Sequence, residues 1–198
     1  MEHRSVEEFS VRTLEFGGLG AALQALRLPF GKECRSDVQH LYRTSNSRLC
    51  KDGNVANGVF PTYVTEIVPC DADFNLLSML AKRGDEHAKV LRGIMVWCEI
   101  NAPLYWWKEM DTYKVGAERL SSESSMHIEG RGLNEEELLT LQEEMPSGHM
   151  QKRVWMFSYQ ALRRIYFQRR NHRLPQWRKF CEWIEALPFA YEFIICEK

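Results

Sequence analysis

The segment that most constrains this chain is residues 92–100, RGIMVWCEI. It is β-rich and mostly apolar, the pattern of a strand buried by its neighbours. Asn101-Ala102-Pro103 breaks it, and LYWWKEM follows as a short helical segment. A buried strand has to be covered, and the flanking sequence offers helices for that purpose. AALQALRL, after the turn Gly17-Gly18-Leu19-Gly20, reads as a helix stopped by Pro29. Asp71 or Asp73 can cap FNLLSMLAKRG, which Gly84 ends, and Asn134 caps EEELLTLQEEM with glutamates in its first turn. A long helix is expected from about Val154 to Asn171, and another from Pro175 or Gln176 through Ala186.

Further strands are expected at residues 7–14, from Tyr63 to Val68 before Pro69, and in the closing FAYEFIIC. Residues 31–61 are rich in Gly, Asn, Ser, Asp and Cys and read as loop, and residues 111–133 as an ordered or lid-like loop. There is no internal repeat. Helices mixed with a few separated strands define an α+β fold, taken as one domain over residues 1–198.

Six tryptophans and ten phenylalanines supply a large core, which excludes disorder. A formal net charge of −1 argues against a protein that coats nucleic acid or membrane through its overall field. The six cysteines are dispersed without a Cys-x-x-Cys pair, so neither a disulfide scaffold nor structural zinc is expected. MEHRSVEEFSV lacks the apolar core of a signal peptide, and no window approaches a membrane span. A cytoplasmic location and reduced thiols are the expectation.

Three features carry candidate chemistry. In Ser121 to His127, SSESSMH, hydroxyls and backbone amides in a turn can hold a phosphate, with Glu123 or His127 in proton transfer; a solvated polar linker is the plainer alternative. Between Arg163 and Lys179 lie seven Arg/Lys residues and no acid, with Arg163 and Arg170 seven apart on one helix face. Such a run suits a phosphate or a nucleic-acid backbone, or simply balances the acidic 135–144 helix. Glu86-His87 sits before the buried strand, and Glu109 ends the aromatic helix, whose Trp106 and Trp107 read as core or interface. No metal-ligand spacing, P-loop or nucleophile elbow is present.

Read in order, several segments resemble the flavin-dependent thymidylate synthases. The series is Glu86-His87, Ala102-Pro103, Glu109, Thr112-Tyr113-Lys114, Ser121 to His127, Met145-Pro146, then Arg169-Arg170-Asn171-His172 ahead of Pro175-Gln176-Trp177. It covers roughly residues 75–185, with a looser match at GLGAALQALRLPF. The resemblance implies an α+β fold, a mixed or antiparallel sheet flanked by helices, and a homotetramer with sites between subunits. It implies FAD as cofactor, with methylenetetrahydrofolate and NADPH as cosubstrates, and transfer of a methyl or hydroxymethyl unit to C5 of dUMP or dCMP.

By the same resemblance, catalytic roles fall to Glu109, Tyr113, Lys114 and Glu123. Substrate binding falls to Glu109, Glu123, Ser125, His127 and Arg170, and flavin binding to His87, Thr112, Tyr113, Lys114 and Ser122. The family's Arg-His-Arg reads Thr112-Tyr113-Lys114 here, which removes two guanidinium groups, and its helix Gln reads Glu109. A carboxylate there suits an amino group, so Glu109 or Glu123 is expected to read N4 of cytosine. A variant enzyme of this size would suit a phage working in a bacterial cytoplasm. Two other readings stand beside it: a nucleotide-binding or sequestering protein without turnover, and, less favoured, nucleic-acid binding by residues 163–179.

Overall fold

The computed structural model describes residues 8–33, 37–45, 60–68 and 70–196, with backbone alone for 37–45 and 60–68. Its strands are β1 (Ser10–Gly17), β2 (Asp37–Ser45), β3 (Phe60–Val68), β4 (Met95–Pro103), β5 (Ala117–Ser122) and β6 (Met150–Ser158). β1, β4, β6 and β5 form, in that order, a four-stranded antiparallel sheet; β2 and β3 pair separately as an antiparallel ribbon. The helices are α1 (Leu19–Arg27), α2 (Asp71–Arg83), α3 (Leu104–Met110), α4 (Ser125–Ile128), α5 (Glu135–Glu144), α6 (Tyr159–Arg169), α7 (Pro175–Glu185) and α8 (Ala190–Phe193). The architecture is α+β, with every pairing antiparallel.

β4 is the strand that the 92–100 pattern announces. Val96, Cys98, Ile100 and Ala102 are buried, and across the ladder Val96 faces Phe157 and Cys98 faces Trp155. The alternate positions Met95, Trp97 and Glu99, with Val154 and Met156 opposite, are only half-buried, so one sheet face carries the core and the other stays open. Helices bury apolar stripes on the core: Leu19, Ala22, Leu23 and Leu26 of α1, and Trp177, Phe180, Cys181 and Ile184 of α7, each set spaced i, i+3, i+4, i+7. Gly18 starts α1 at φ +84°, where a Cβ would lie 1.8 Å from the Gly93 carbonyl oxygen. Only glycine permits that approach, which docks α1 against the 3₁₀ turn Lys89–Gly93.

Four elements differ from the sequence reading. VWMFS, read as the start of a long helix, belongs to β6; the helix begins at Tyr159, where Ser158 accepts from the Ala161 amide at 3.2 Å. Trp155 and Phe157 bury on one face with period two, and pairing with β4 overrides the helical signal. The tail FAYEFIIC holds a helix, α8, not a strand, because Phe193 packs on Phe74 at 5.2 Å between ring centroids. Within the stretch read as loop, Asp37–Ser45 is a strand fully paired with Phe60–Val68; residues 46–59 lie outside the described residues. The 111–133 loop contains β5 and α4.

Asp71 and Asp73 do not cap α2 through their side chains. Asp73 is fully buried and bound to Arg27 Nε at 2.5 Å. Asn134 does cap α5, in a capping box with Glu137.

Candidate functional site

The site region grows from α3. Trp106, Trp107 and Met110 turn into the core, which leaves Tyr105 and Glu109, four residues apart, on the face that meets the start of α7. Gln176 Nε2 donates to the Tyr105 hydroxyl at 2.7 Å, and Trp177 Nε1 donates to Glu109 Oε2 at 2.9 Å. The same carboxylate oxygen accepts from an Arg169 guanidinium N–H at 2.6 Å, with His172 Nε2 at 3.6 Å. Arg169 Nε donates to the Tyr113 hydroxyl at 2.8 Å, which donates onward to Gln168 at 2.9 Å. The guanidinium also lies over the Trp177 ring at 4.4 Å. Glu109 and Tyr113 are thus brought together, but by Arg169, His172 and Trp177 rather than by Arg170. Those three residues stand in the sequence series without an assigned role.

A second cluster is the β5–α4 turn. Glu123 extends the ladder to β6: its N–H donates to the Lys152 carbonyl at 2.9 Å, and its Oε2 accepts from the Lys152 N–H at 2.7 Å. Ser124 Oγ and His127 Nδ1 lie 2.8 Å apart, and Gln142 Nε2 donates to Ser125 Oγ at 2.8 Å. The loop is therefore ordered by side chains from α5 and β6. Beside it opens a cavity of about 730 Å³, whose polar lining includes Tyr105, Glu123, His149, Lys152, Gln176 and Lys179. Phe9, Pro103, Ile128 and Met150 give it apolar walls. A space of this size with a few polar groups on apolar walls is suited to a small-molecule ligand. Sequence reasoning found Glu123 but missed Tyr105 and Lys152; the i, i+4 spacing of Tyr105 and Glu109 on one helix was the available signal.

The remaining candidates are distributed. His87 stands half-exposed on the turn after α2, with the Glu86 carboxylate 3.9 Å away. Ser122 ends β5 opposite Arg153. Arg163 and Arg170 share a helix face, as their spacing predicts, with guanidinium groups 5.2 and 5.1 Å from the Phe167 ring. The basic run as a whole is not a free face. Arg163 is buried and donates to the Ile194 and Cys196 carbonyls, Arg169 serves Glu109, and Arg178 donates to the His172 and Arg173 carbonyls.

The groups assigned to a flavin fit one in part. Thr112 Oγ1 is spent on the Glu109 carbonyl at 2.7 Å, and the Tyr113 hydroxyl on Gln168 and Arg169. Lys114 is exposed, and its ammonium has no hydrogen bond or ion pair among the described residues. Arg164 donates to the carbonyl of Val115, the residue after Lys114, at 2.8 Å while its buried Nε lacks an acceptor. Cationic side chains of this kind suit a diphosphate. No group of three or more His, Cys, Asp or Glu that could hold a metal occurs among the described residues, and no described helix is long and apolar enough to cross a membrane.

No protein-family model and no curated protein sequence matches the chain. Solved structures do. A flavin-dependent thymidylate synthase from Helicobacter pylori, complexed with FAD and dUMP, aligns with TM-score 0.62 and 15% identity over 96% of this chain and 100% of that one. A second structure of the Helicobacter pylori enzyme with FAD and dUMP gives 0.61 and 14%, over 96% and 98%. A UMP/dUMP methylase from Streptomyces cacaoi, bound with 5-Br dUMP, gives 0.57 and 12%, over 96% of both chains. Over nearly its whole length, this chain has the fold of the flavin-dependent thymidylate synthases.

Proposed function

We propose that the protein transfers a one-carbon unit, methyl or hydroxymethyl, from methylenetetrahydrofolate to C5 of a deoxypyrimidine monophosphate, using FAD and NADPH. The observation that carries this reading is the cavity beside Glu123, opened by the Ser121–His127 turn within a fold shared with dUMP-bound proteins. In this reading Glu123, Ser125 and His127 contact the nucleotide, and Arg170 takes its phosphate. Lys114 and Arg164 hold the flavin diphosphate, and His87, Thr112, Tyr113 and Ser122 lie along the cofactor. A reduced flavin, when bound, supplies the electrons that the reductive transfer consumes.

The chain's own residues then bind and orient the base. Glu109 does so at one remove, by fixing Arg169 against Trp177. Two core thiols are poorly suited to a covalent route: burial pushes the Cys181 thiol up to about 12 and raises that of Cys98 as well. The half-buried row Met95, Trp97, Val154 and Met156 on the open sheet face supports self-association into the homotetramer that shared sites need.

The direct test is the visible absorption spectrum after loading with FAD and desalting, alone and with dUMP or dCMP. Retained flavin followed by a C5-modified nucleotide on adding methylenetetrahydrofolate and NADPH is the expected result. No retained flavin under any of these conditions removes the enzyme reading.

A nucleotide binder without turnover is the second reading. It is favoured by Tyr113, whose hydroxyl is already tied to Gln168 and Arg169. It predicts a colourless protein that still binds dUMP or dCMP. Nucleic-acid binding is opposed by the internal engagement of Arg163, Arg169 and Arg178, and a flat salt dependence of any oligonucleotide affinity would dispose of it.

A further inference from the structure

One buried guanidinium joins the end of α3 to the β5–α4 turn, and no assigned role uses it. Arg153 is buried on β6, in step with Trp155 and Phe157, and its guanidinium lies 4.4 Å from the Trp107 ring centroid. Nη1 donates to both carboxylate oxygens of Asp111, each at 3.1 Å. Nε donates to Gln151 Oε1 at 2.8 Å. A guanidinium only donates, so the Gln151 amide has to turn its oxygen toward Arg153. That leaves the amide nitrogen for the Glu123 carbonyl, which accepts from it at 2.8 Å.

Both ends of this relay are anchored. Asp111 closes α3, its amide donating to the Trp107 carbonyl at 2.8 Å, and Thr112-Tyr113-Lys114 follow it directly. The Trp107 indole N–H donates to the Gln151 carbonyl at 3.0 Å, which ties α3 to the start of β6. At the other end Ser122 pairs with Arg153 in the ladder, and the Glu123 amide donates to the Lys152 carbonyl at 2.9 Å. A buried ion pair adds little net stability, because desolvation offsets its attraction. What this one fixes is position: the guanidinium serves one carboxylate and one amide, and no other acceptor among the described residues.

We infer that Arg153 is a positioning residue: through Asp111 and Gln151 it sets the separation between the 112–114 segment and the 121–127 turn. The inference rests on the reading above, in which the first segment lies along the cofactor and the second contacts the nucleotide. Transfer between two bound molecules depends on how they are held, and a displacement of about 1 Å can cost roughly a hundredfold in rate. Arg153 acts on that separation only through its two neighbours.

The test compares Arg153→Lys, Gln151→Met and their double variant in the full chain, with Lys82→Met, an exposed position on α2, as control. The first readout needs no ligand: amide hydrogen exchange across residues 121–127, with β4 as the internal reference. A lysine can keep the pair with Asp111 but lacks the rigid second donor that Gln151 requires. Arg153→Lys should therefore keep its unfolding midpoint, while exchange in 121–127 quickens about fivefold, the effect of one neutral hydrogen bond. The second readout is kcat per bound flavin, with FAD, methylenetetrahydrofolate and NADPH supplied and dUMP and dCMP affinities measured by calorimetry. Arg153→Lys and Gln151→Met should each lower kcat roughly tenfold or more, with far smaller changes in nucleotide affinity. Because both break one link, the double variant should be no slower than the slower single variant. Lys82→Met should leave both readouts at wild-type values.

If Arg153→Lys and Gln151→Met match the wild type in exchange or in kcat, the positioning role falls while the functional reading stands. A fall in kcat that follows a lowered unfolding midpoint, with exchange quickened in β4 as well, marks a purely structural role and overturns the inference too. If the wild type retains no flavin and modifies no nucleotide, the functional reading falls and takes this inference with it, whatever the exchange shows.

Discussion

Two carboxylates on neighbouring elements, Glu109 on α3 and Glu123 after β5, have similar sequence credentials and opposite surroundings. Glu109 sits in a closed network, where one oxygen takes donors from Arg169 and Trp177 and the guanidinium is stacked on an indole. Glu123 also has one oxygen occupied, but by a backbone N–H on the wall of a 730 Å³ cavity. The difference teaches where each charge is useful. Closed charges fix a scaffold, because removing a partner leaves the other desolvated. Charges at an open wall cost the fold little and remain available to a ligand.

The largest expected effect is at the hub of the closed region. Trp177 is fully buried and contacts the rings of Trp106, Tyr113, His172 and Phe180. Trp177→Ala should cost roughly 3–5 kcal/mol in denaturant unfolding, as large-to-small changes at buried aromatics do. Glu109→Gln should cost about 1–3 kcal/mol, with a non-zero coupling to Arg169→Met in a double-mutant cycle. It should leave the relative affinity for dUMP and dCMP unchanged. If instead it reverses that order without loss of stability, Glu109 reads the base and the contrast between the two regions collapses.

Arg170, one residue beyond the closed network, sharpens the boundary. Arg170→Ala should weaken nucleotide binding by ~1–3 kcal/mol, and an unchanged dissociation constant would remove its phosphate role. Glu123→Gln should change stability by less than about 1 kcal/mol, because an amide oxygen still accepts from the Lys152 N–H, yet it should alter the dUMP-to-dCMP ratio. A large stability loss there would mean that Glu123 belongs with the scaffold.

A last effect, absent at neutral pH, concerns the core thiol on α7. Burial and the nearby Glu185 and Glu182 hold Cys181 up at about 12, whereas an unfolded thiol titrates near roughly 8.5. Below the unfolded value both states are neutral and nothing is lost. Above it only the unfolded chain ionises, so stability falls as pH rises. Unfolding measured from pH 7 to 10 should fall less steeply in Cys181→Ala than in the wild type.

Much of this was legible in the residues. RGIMVWCEI announced β4 because it is β-rich and mostly apolar, and Asn134 announced α5 because a cap is a local interaction. The ordered series from Glu86 to Trp177 led to the α+β fold, and the matched structures carry that fold. VWMFS and FAYEFIIC were misread because both are short apolar runs. Only the partner, β4 in one case and Phe74 in the other, settles strand against helix. Lys152 was invisible because its alternation belongs to a strand that the sequence reading placed in a helix further on.

The sequence alone determined the periodicities, the caps and breaks, and the substitution of Thr112-Tyr113-Lys114 for a cationic triplet, because these depend on a residue and its near neighbours. The tertiary structure decided which charges are spent. Arg169 rather than Arg170 reaches Glu109, and Lys152 rather than Lys179 is left unpaired. Whether a charge is satisfied depends on partners some 60 or 170 residues away, and no local rule in the chain encodes that distance.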